Sequence, residues 1–355
     1  MASNRTYISI IVPVYNNPKD LLECLSALIA SSCAGSEIIV VDDASTDDTP
    51  SVAVRTGVQV FRLMKNSGPA AARNYGARRA QGDILFFVDV DIVVAPGAVR
   101  RVAQVFEDNP GLAAVFGSYD ARPRAEGVVS QYRNLLHHFV HQNGNPEAST
   151  FWAGCGAIRR SVFEEIGGFD ERRFPRPSIE DIELGYRLRQ AGHRILLDKG
   201  LQGTHLKRWT LRSVLWTDIF CRAVPWSRLI LERGKPLDDL NLKGGQRLSG
   251  ALAWLAGIFL LLAAFRVELL AISAAALLGV VALNRELYAF FFRRRGLLFA
   301  CACIPLHLLY YLYSGLSYFY VWISVRLGGA ATGGDRPVQG GESLAGQGRK
   351  TVGPQ

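Results

Sequence analysis

"GDILFFVDVDIVVAPGAV" (residues 82–99) is an apolar run broken by two acids, Asp89 and Asp91. Burying an unpaired carboxylate is costly, so a strand interior does not normally carry two of them. The stretch therefore reads as a buried strand that ends at Asp89, with both acids emerging at its C-terminal edge. Asp-x-Asp at such an edge puts two carboxylates within reach of one divalent cation.

Upstream, "YISIIVPVYNN" (7–17), "EIIVVDDAS" (37–45) and "VQVFRLMKN" (58–66) read as three more strands. "PKDLLECLSALIASS" (18–32) reads as a helix with Leu21, Leu22, Leu25, Leu28 and Ile29 on one face. "GPAAARNYGARRAQG" (68–82) is a second helix between glycine punctuators. Apolar strands alternating with helices mark an α/β domain whose mainly parallel sheet is covered on both faces. Ligands of such sheets sit outside the C-terminal ends of the strands. Pro13 and Tyr15, then Asp42 and Asp43, then Asp89 and Asp91 all fall at that edge. A tyrosine offers a stacking face for a base, an aspartate accepts hydrogen bonds from base or ribose, and Mg²⁺ binds carboxylates together with substrate phosphates. The set suits a nucleoside diphosphate with a divalent ion. Asp43, followed by Ser45-Thr46-Asp47, can also be read as a turn or helix cap. Neither GxGxxG after the first strand nor GxxxxGK[ST] is present, which disfavours a dinucleotide-binding or P-loop protein.

The chain of 355 residues has 40 Lys+Arg against 31 Asp+Glu, a net charge of +9. No basic run is interleaved with aromatics, so nucleic acid is not the expected partner. The six cysteines (24, 33, 155, 221, 301, 303) form no CxxC and no Cys/His metal spacing, and read as reduced. The start "MASNRTYISIIVPVYNN" has no signal-peptide pattern, because its apolar run is short and leads straight into a strand.

The last third differs in kind. Residues 248–265 and 269–283 carry no charge, and 296–325 is nearly as apolar. A spanning helix needs about 20 apolar residues, so two to three transmembrane helices are expected, the second being the marginal one. The alternative is a buried helical hairpin. "NRELYAFFFRRRG" (284–296) holds four Arg and reads as a cytoplasmic loop, which places residues 1–247 on the cytoplasmic side as well. The tail 326–355 reads as polar and disordered. In 210–247, Trp216, Phe220, Trp226 and Leu229 alternate with Arg212, Arg222 and Arg228. That pattern fits a helix lying in the membrane surface or, alternatively, one packed on the catalytic domain.

"SIIVPVYNNPKDLLECLSAL", "EIIVVDDASTDDT", "NSGPAAARNYGA" and "GDILFFVDVDIVV", in this order, closely resemble family 2 glycosyltransferases of the GT-A fold. The resemblance covers about residues 7–210. It implies a Rossmann-like domain (1–204); the composition of the rest gives interfacial helices (205–247), membrane helices (248–325) and the tail (326–355). The resemblance implies inverting transfer of a sugar from a nucleotide-sugar, usually a UDP-sugar, with Mg²⁺ or Mn²⁺. By resemblance Pro13, Tyr15 and Asp43 would contact the nucleoside, and Asp89 and Asp91 would form the Asp-x-Asp pair, Asp91 being nearest the metal. Arg73 would face the diphosphate or lie on a helix surface.

An inverting transfer needs a base for the acceptor hydroxyl. "RPSIEDIELGYRLRQAGHRI" (176–195) offers Glu180 and Asp181 at the start of a helix, where the dipole favours acids in any case. The resemblance gives the base to Asp181, with Glu180 as the alternative and Glu183 as a surface acid. It also gives an acceptor-binding role to "TFWAGCGAIRR" (150–160), through Trp152, Gly154 and Cys155. "GTHLKRWTL" (203–211) resembles a Gln-x-x-Arg-Trp motif with His205 in place of Gln. Arg208 and Trp209 would face acceptor or diphosphate, and His205 could join the metal. The reading is a membrane-anchored, multi-pass transferase of the inner membrane with a lipid or lipid-linked acceptor. Its alternatives are a processive polysaccharide synthase subunit and a non-catalytic nucleotide-sugar-binding scaffold.

Overall fold

The structure is a computed structural model that describes residues 6–32, 35–233 and 244–328. It opens with β1 (Ile8–Val14), α1 (Pro18–Ser31), β2 (Ser36–Asp42), α2 (Thr49–Arg55), β3 (Gln59–Arg62), α3 (Pro69–Arg79) and β4 (Ile84–Val88). β3, β2, β1 and β4 lie side by side and all run parallel. Phe86 and Phe87 show why the strands are apolar throughout. Successive side chains point to opposite faces; Phe86 enters one buried cluster and Phe87 the other. α1 starts where Asn17 accepts the Asp20 N–H, with Pro18 at its first turn. Its buried stripe is Leu21, Cys24, Leu25 and Leu28. Leu22 and Ile29, expected on that face, are exposed because they lie on the flank of the stripe.

Beyond β4 the sheet becomes mixed. A short β5 (Ile92–Val94) is followed by α4 (Ala98–Asp108), β6 (Ala114–Tyr119), α5 (Val128–Gln142), β7 (Glu147–Ala148) and β8 (Cys155–Arg159). Then come α6 (Arg160–Glu165), α7 (Glu180–Gln190) and β9 (Ile195–His205). β8 runs antiparallel to β4, and β5 antiparallel to β9 with Ile92 opposite His205. This last register carries His205 to the foot of the Asp89–Asp91 turn.

α8 (Leu211–Trp216), a π-helical turn (Thr217–Ala223) and α9 (Val224–Arg233) form one continuous helical run. Trp216 and Phe220 are exposed, whereas Leu229 is buried with Phe174, Ile179 and Tyr186 of the catalytic domain. The run therefore has both an open aromatic face and a docked face, and the part of the expected interfacial segment at 234–243 lies outside the described residues.

α10 (Gly244–Leu262) and α13 (Leu297–Gly328) are long and apolar enough to cross a membrane. α11 (Leu269–Leu283) has only 15 residues and meets α12 (Arg285–Arg295) at a 70° bend. The expected loop 284–296 is thus mostly helix. α12 is held against α5: Leu287, Tyr288 and Phe291 pack with Tyr132, Leu135 and Leu136, and Arg295 Nε donates to Gln131 Oε1 at 2.9 Å. Of the polar tail, residues 329–355 lie outside the described residues.

Candidate active site

The chain makes a sharp turn after β4. The Asp89 N–H donates to Gly154 O on the neighbouring segment, and the Ile92 N–H returns to Asp89 O. Both acids thereby leave the sheet at its C-terminal edge, in a cavity of about 1360 Å³. Pro13, Tyr15, Asp43, Arg73, Glu180 and Asp181 line the same cavity.

Asp43 is not a helix cap. Its Oδ1 accepts from the Ser67 N–H (2.7 Å) and its Oδ2 from the Gly68 N–H (2.8 Å), stitching the loop before α3 to the end of β2. Tyr15 is exposed at the cavity rim and free to stack.

Arg73 is not a surface residue. It is buried; one Nη donates to Glu180 Oε1 (2.8 Å) and the other to Asp89 Oδ1 (2.7 Å). Burial pulls its pKa down, but Asp89 and Glu180 outweigh this and hold it above the ordinary value. Glu180 Oε2 accepts the Ser178 N–H as well, so both its oxygens are occupied. A carboxylate paired with a buried guanidinium is held ionised and weakly basic, which does not suit a general base. Asp181, one residue on, accepts from the Ala153 and Ile182 N–H groups. Burial first, and then the Glu180 charge, push its pKa up to about 7. α7 can bring Asp181 this close because Gly185 lies on the Thr150–Phe151 backbone, where a Cβ would collide. Glu183, expected on the surface, is buried beside Arg187.

On the opposite wall, His205 Nε2 stands 3.2 Å from Asp91 Oδ2, and its Nδ1 is 2.6 Å from Asn134 Oδ1. Tyr119 stacks on the His205 ring at 4.3 Å and 10°. Burial alone would raise the pKa of Asp91, yet His205 and Lys207 hold it below the ordinary value. When the ring is protonated, Nε2–H donates to Asp91; when it is neutral with Nδ1–H on the Asn134 oxygen, the Nε2 lone pair and the carboxylate can share a cation. Carboxylate and imidazole suit Mn²⁺, and carboxylate suits Mg²⁺. Among the described residues no three His, Cys, Asp or Glu side chains are grouped to hold an ion alone. The Asp91–His205 pair fits a cation that takes its remaining ligands from phosphate and water.

Trp152 and Trp209 line the cavity. Three other expected acceptor contacts do not. Gly154 lies behind the Trp152 ring, whose atoms a Cβ would meet at 2.6 Å. Cys155 pairs with Val88 inside the sheet and points into the core. Arg208 is exposed, off the cavity wall, because only alternate positions of 205–209 face inward. Asn134, Arg133 and Lys207 line the cavity without having been expected there. The first two belong to α5, a helix with no motif to single them out.

The fold and site define a GT-A nucleotide-sugar-type domain followed by two apolar helices. Residues 9–167 match the family model described as Glycosyl transferase family 2. A glycosyltransferase, GlyG, of Streptococcus pneumoniae is 30% identical over 256 residues, covering 67% of this chain and 81% of that protein. The chain belongs to glycosyl transferase family 2. An uncharacterized glycosyltransferase of Haemophilus influenzae is also 30% identical, over 52% of this chain; the chain spans 62% of that relative's length. A mannosyltransferase of Pyrobaculum calidifontis, solved with GDP-Man and Mn²⁺, shares the fold with a TM-score of 0.56 at 18% identity, covering 90% of this chain and 88% of that one.

Proposed function

We propose that the chain is an inverting, metal-dependent glycosyltransferase. It moves a sugar from a nucleotide-sugar, a UDP-sugar, to a lipid or lipid-linked acceptor at the cytoplasmic face of the inner membrane. One observation carries the reading: a single cavity contains Asp89, Asp91 and Asp181 and is also walled by Trp254 of α10 and Tyr310 and Tyr313 of α13. A donor reaches it from the exposed Tyr15 rim and an acceptor from between the apolar helices.

Tyr15 would stack on the base. Asp91 and His205, with Asp89 beside them, would hold Mg²⁺ or Mn²⁺, which when bound stabilises charge developing on the leaving diphosphate. Asp181, with a pKa of about 7, takes the proton from the acceptor hydroxyl as that oxygen attacks the anomeric carbon. Arg73 and Glu180 fix Asp89, so that the pair is positioned before substrate arrives. Trp152 and Trp209 would line the acceptor's path. The Arg293–Arg295 end of α12, tied to the catalytic domain through Arg295, supports the cytoplasmic side by the positive-inside tendency. Trp216 and Phe220 would rest in the headgroup layer. The two to three apolar segments among the described residues are too few to enclose a polymer channel alone, which favours single addition over processive synthesis.

The test is UDP release by reconstituted protein, with UDP- and GDP-sugars, Mn²⁺ or Mg²⁺, and bacterial lipid extract. Lipid-dependent release lost in Asp91→Ala supports the reading. Metal-dependent UDP binding with release from no donor would replace it with the scaffold.

A further inference from the structure

The wall between the catalytic acids and the apolar helices carries donors that the protein itself does not satisfy. Asn134 Nδ2, Arg133 Nε and Trp209 Nε1 are buried and find no hydrogen-bond partner among the described residues. All three side chains line the cavity. Asn134 and Trp209 are only 1% and 6% exposed. Orphaned donors are rare in folded proteins and call for a ligand or water.

They are held on purpose-built supports. Ser130 Oγ both accepts from the Trp209 N–H and donates to its carbonyl, pinning Trp209 to α5. Arg133 donates to Asp218 Oδ1 (2.7 Å), and Tyr313 of α13 donates to Asp218 Oδ2 (2.6 Å). Arg222 meets the same carboxylate at 3.3 Å. Lys207 Nζ lies 4.3 Å from the centre of the Trp209 ring. Arg133 and Arg222 thus share one buried acid, Lys207 lies over Trp209, and the free atoms of Asn134, Arg133 and Trp209 all donate. Such a set recognises an oxyanion. Tyr313, one of its supports, belongs to an apolar helix.

We infer that Arg133, Asn134, Trp209 and Lys207 form a phosphate subsite for the acceptor, distinct from the place of the donor diphosphate at Asp89 and Asp91. The acceptor is then a lipid with a phosphate between its chains and its reacting hydroxyl. The subsite holds that phosphate while the hydroxyl reaches Asp181. This rests on the proposed lipid acceptor and names its chemical class.

Dodecyl phosphate, dodecanol and inorganic phosphate are titrated calorimetrically into the full chain in a neutral maltoside detergent, with UDP and Mn²⁺ saturating. Dodecyl phosphate is expected to bind at least about tenfold more tightly than either of the other probes, as charge-assisted hydrogen bonds require. Trp209→Phe removes one donor and keeps the ring; Arg133→Lys keeps a charge opposite Asp218 and loses the Nε–H. Each is expected to weaken dodecyl phosphate about five- to tenfold while Mn²⁺–UDP still binds, which also verifies folding. Equal binding of dodecanol, or of dodecyl phosphate by the variants, overturns the subsite. Equal binding of inorganic phosphate makes it a free-phosphate site, and displacement by UDP makes it the donor's. If only this inference fails, lipid-dependent UDP release persists; if the transferase reading fails, release is absent whatever dodecyl phosphate does.

Discussion

Asp181→Asn tests the chemistry most directly, because the amide keeps the shape of the side chain and cannot take a proton. A positioned general base contributes about 10²–10⁴-fold, so the turnover rate is expected to fall by that factor. The structure also sets the pH dependence. With a pKa of about 7, Asp181 is ionised in about 9% of wild-type molecules at pH 6 and about 91% at pH 8, a tenfold rise in the competent form. Wild-type kcat/KM for UDP release should climb tenfold over that interval, and the residual rate of the variant should not. The same burial leaves a mark on stability. A carboxyl whose folded pKa lies above its unfolded value contributes stability below about pH 4 that is lost as the pH rises to about 7. Asp181→Asn removes that loss, so its melting temperature should exceed that of the wild type at pH 8 and match it near pH 4. A variant retaining more than a tenth of the rate, or the wild-type pH limb, would refute the assignment of the base.

Arg73→Met strands Glu180, a buried carboxylate whose Oε1 it bridges at 2.8 Å. Removing one partner of a buried ion pair costs about 3–5 kcal/mol, so the melting temperature should drop by several degrees, and an unchanged melt would contradict the described bridge. Asn134→Ala frees the His205 ring from its 2.6 Å contact. Loss of such a support typically weakens metal affinity by about 10–100-fold, to be read by Mn²⁺ titration without donor; equal affinity would remove His205 from the cation site. Gly315→Leu pushes a side chain into Trp254, which lies directly against Gly315 in the cavity wall. Lipid-dependent release should fall while Mn²⁺–UDP binding persists, and undiminished release would mean that the acceptor enters elsewhere.

Much of the fold was legible because its signals are local. Phe86 and Phe87 sit side by side and go to opposite cores, so an uninterrupted apolar run already implied a strand covered on both faces. Two acids could not stay in that run, and the chain does turn at Asp89. The uncharged segments likewise became α10, α11 and α13 near their expected bounds. Local reading failed where alternation or packing decided the outcome. Cys155 follows a cavity-side segment yet points into the core, because its pairing with Val88 sets the parity of β8. The arginine-rich 284–296 stretch looked like a loop, yet its aromatic residues supply a face that docks on α5 and fixes a helix.

The site itself divides in the same way. The sequence by itself determined the strand ends near Pro13, Tyr15, Asp43, Asp89 and Asp91, because an apolar run buried on both faces has to end about where its polar residues begin. Only the tertiary structure decided their partners. His205 meets Asp91 across 114 residues of chain because β5 pairs with β9, and Asn134 meets His205 because α5 covers that edge. Arg73 joins Asp89 to Glu180 across 107 residues. Hydrophobic periodicity records which side of an element is buried; it does not record which other element buries it, and that choice gathered Asp181, Asp91, His205 and residues of α10 and α13 around one cavity.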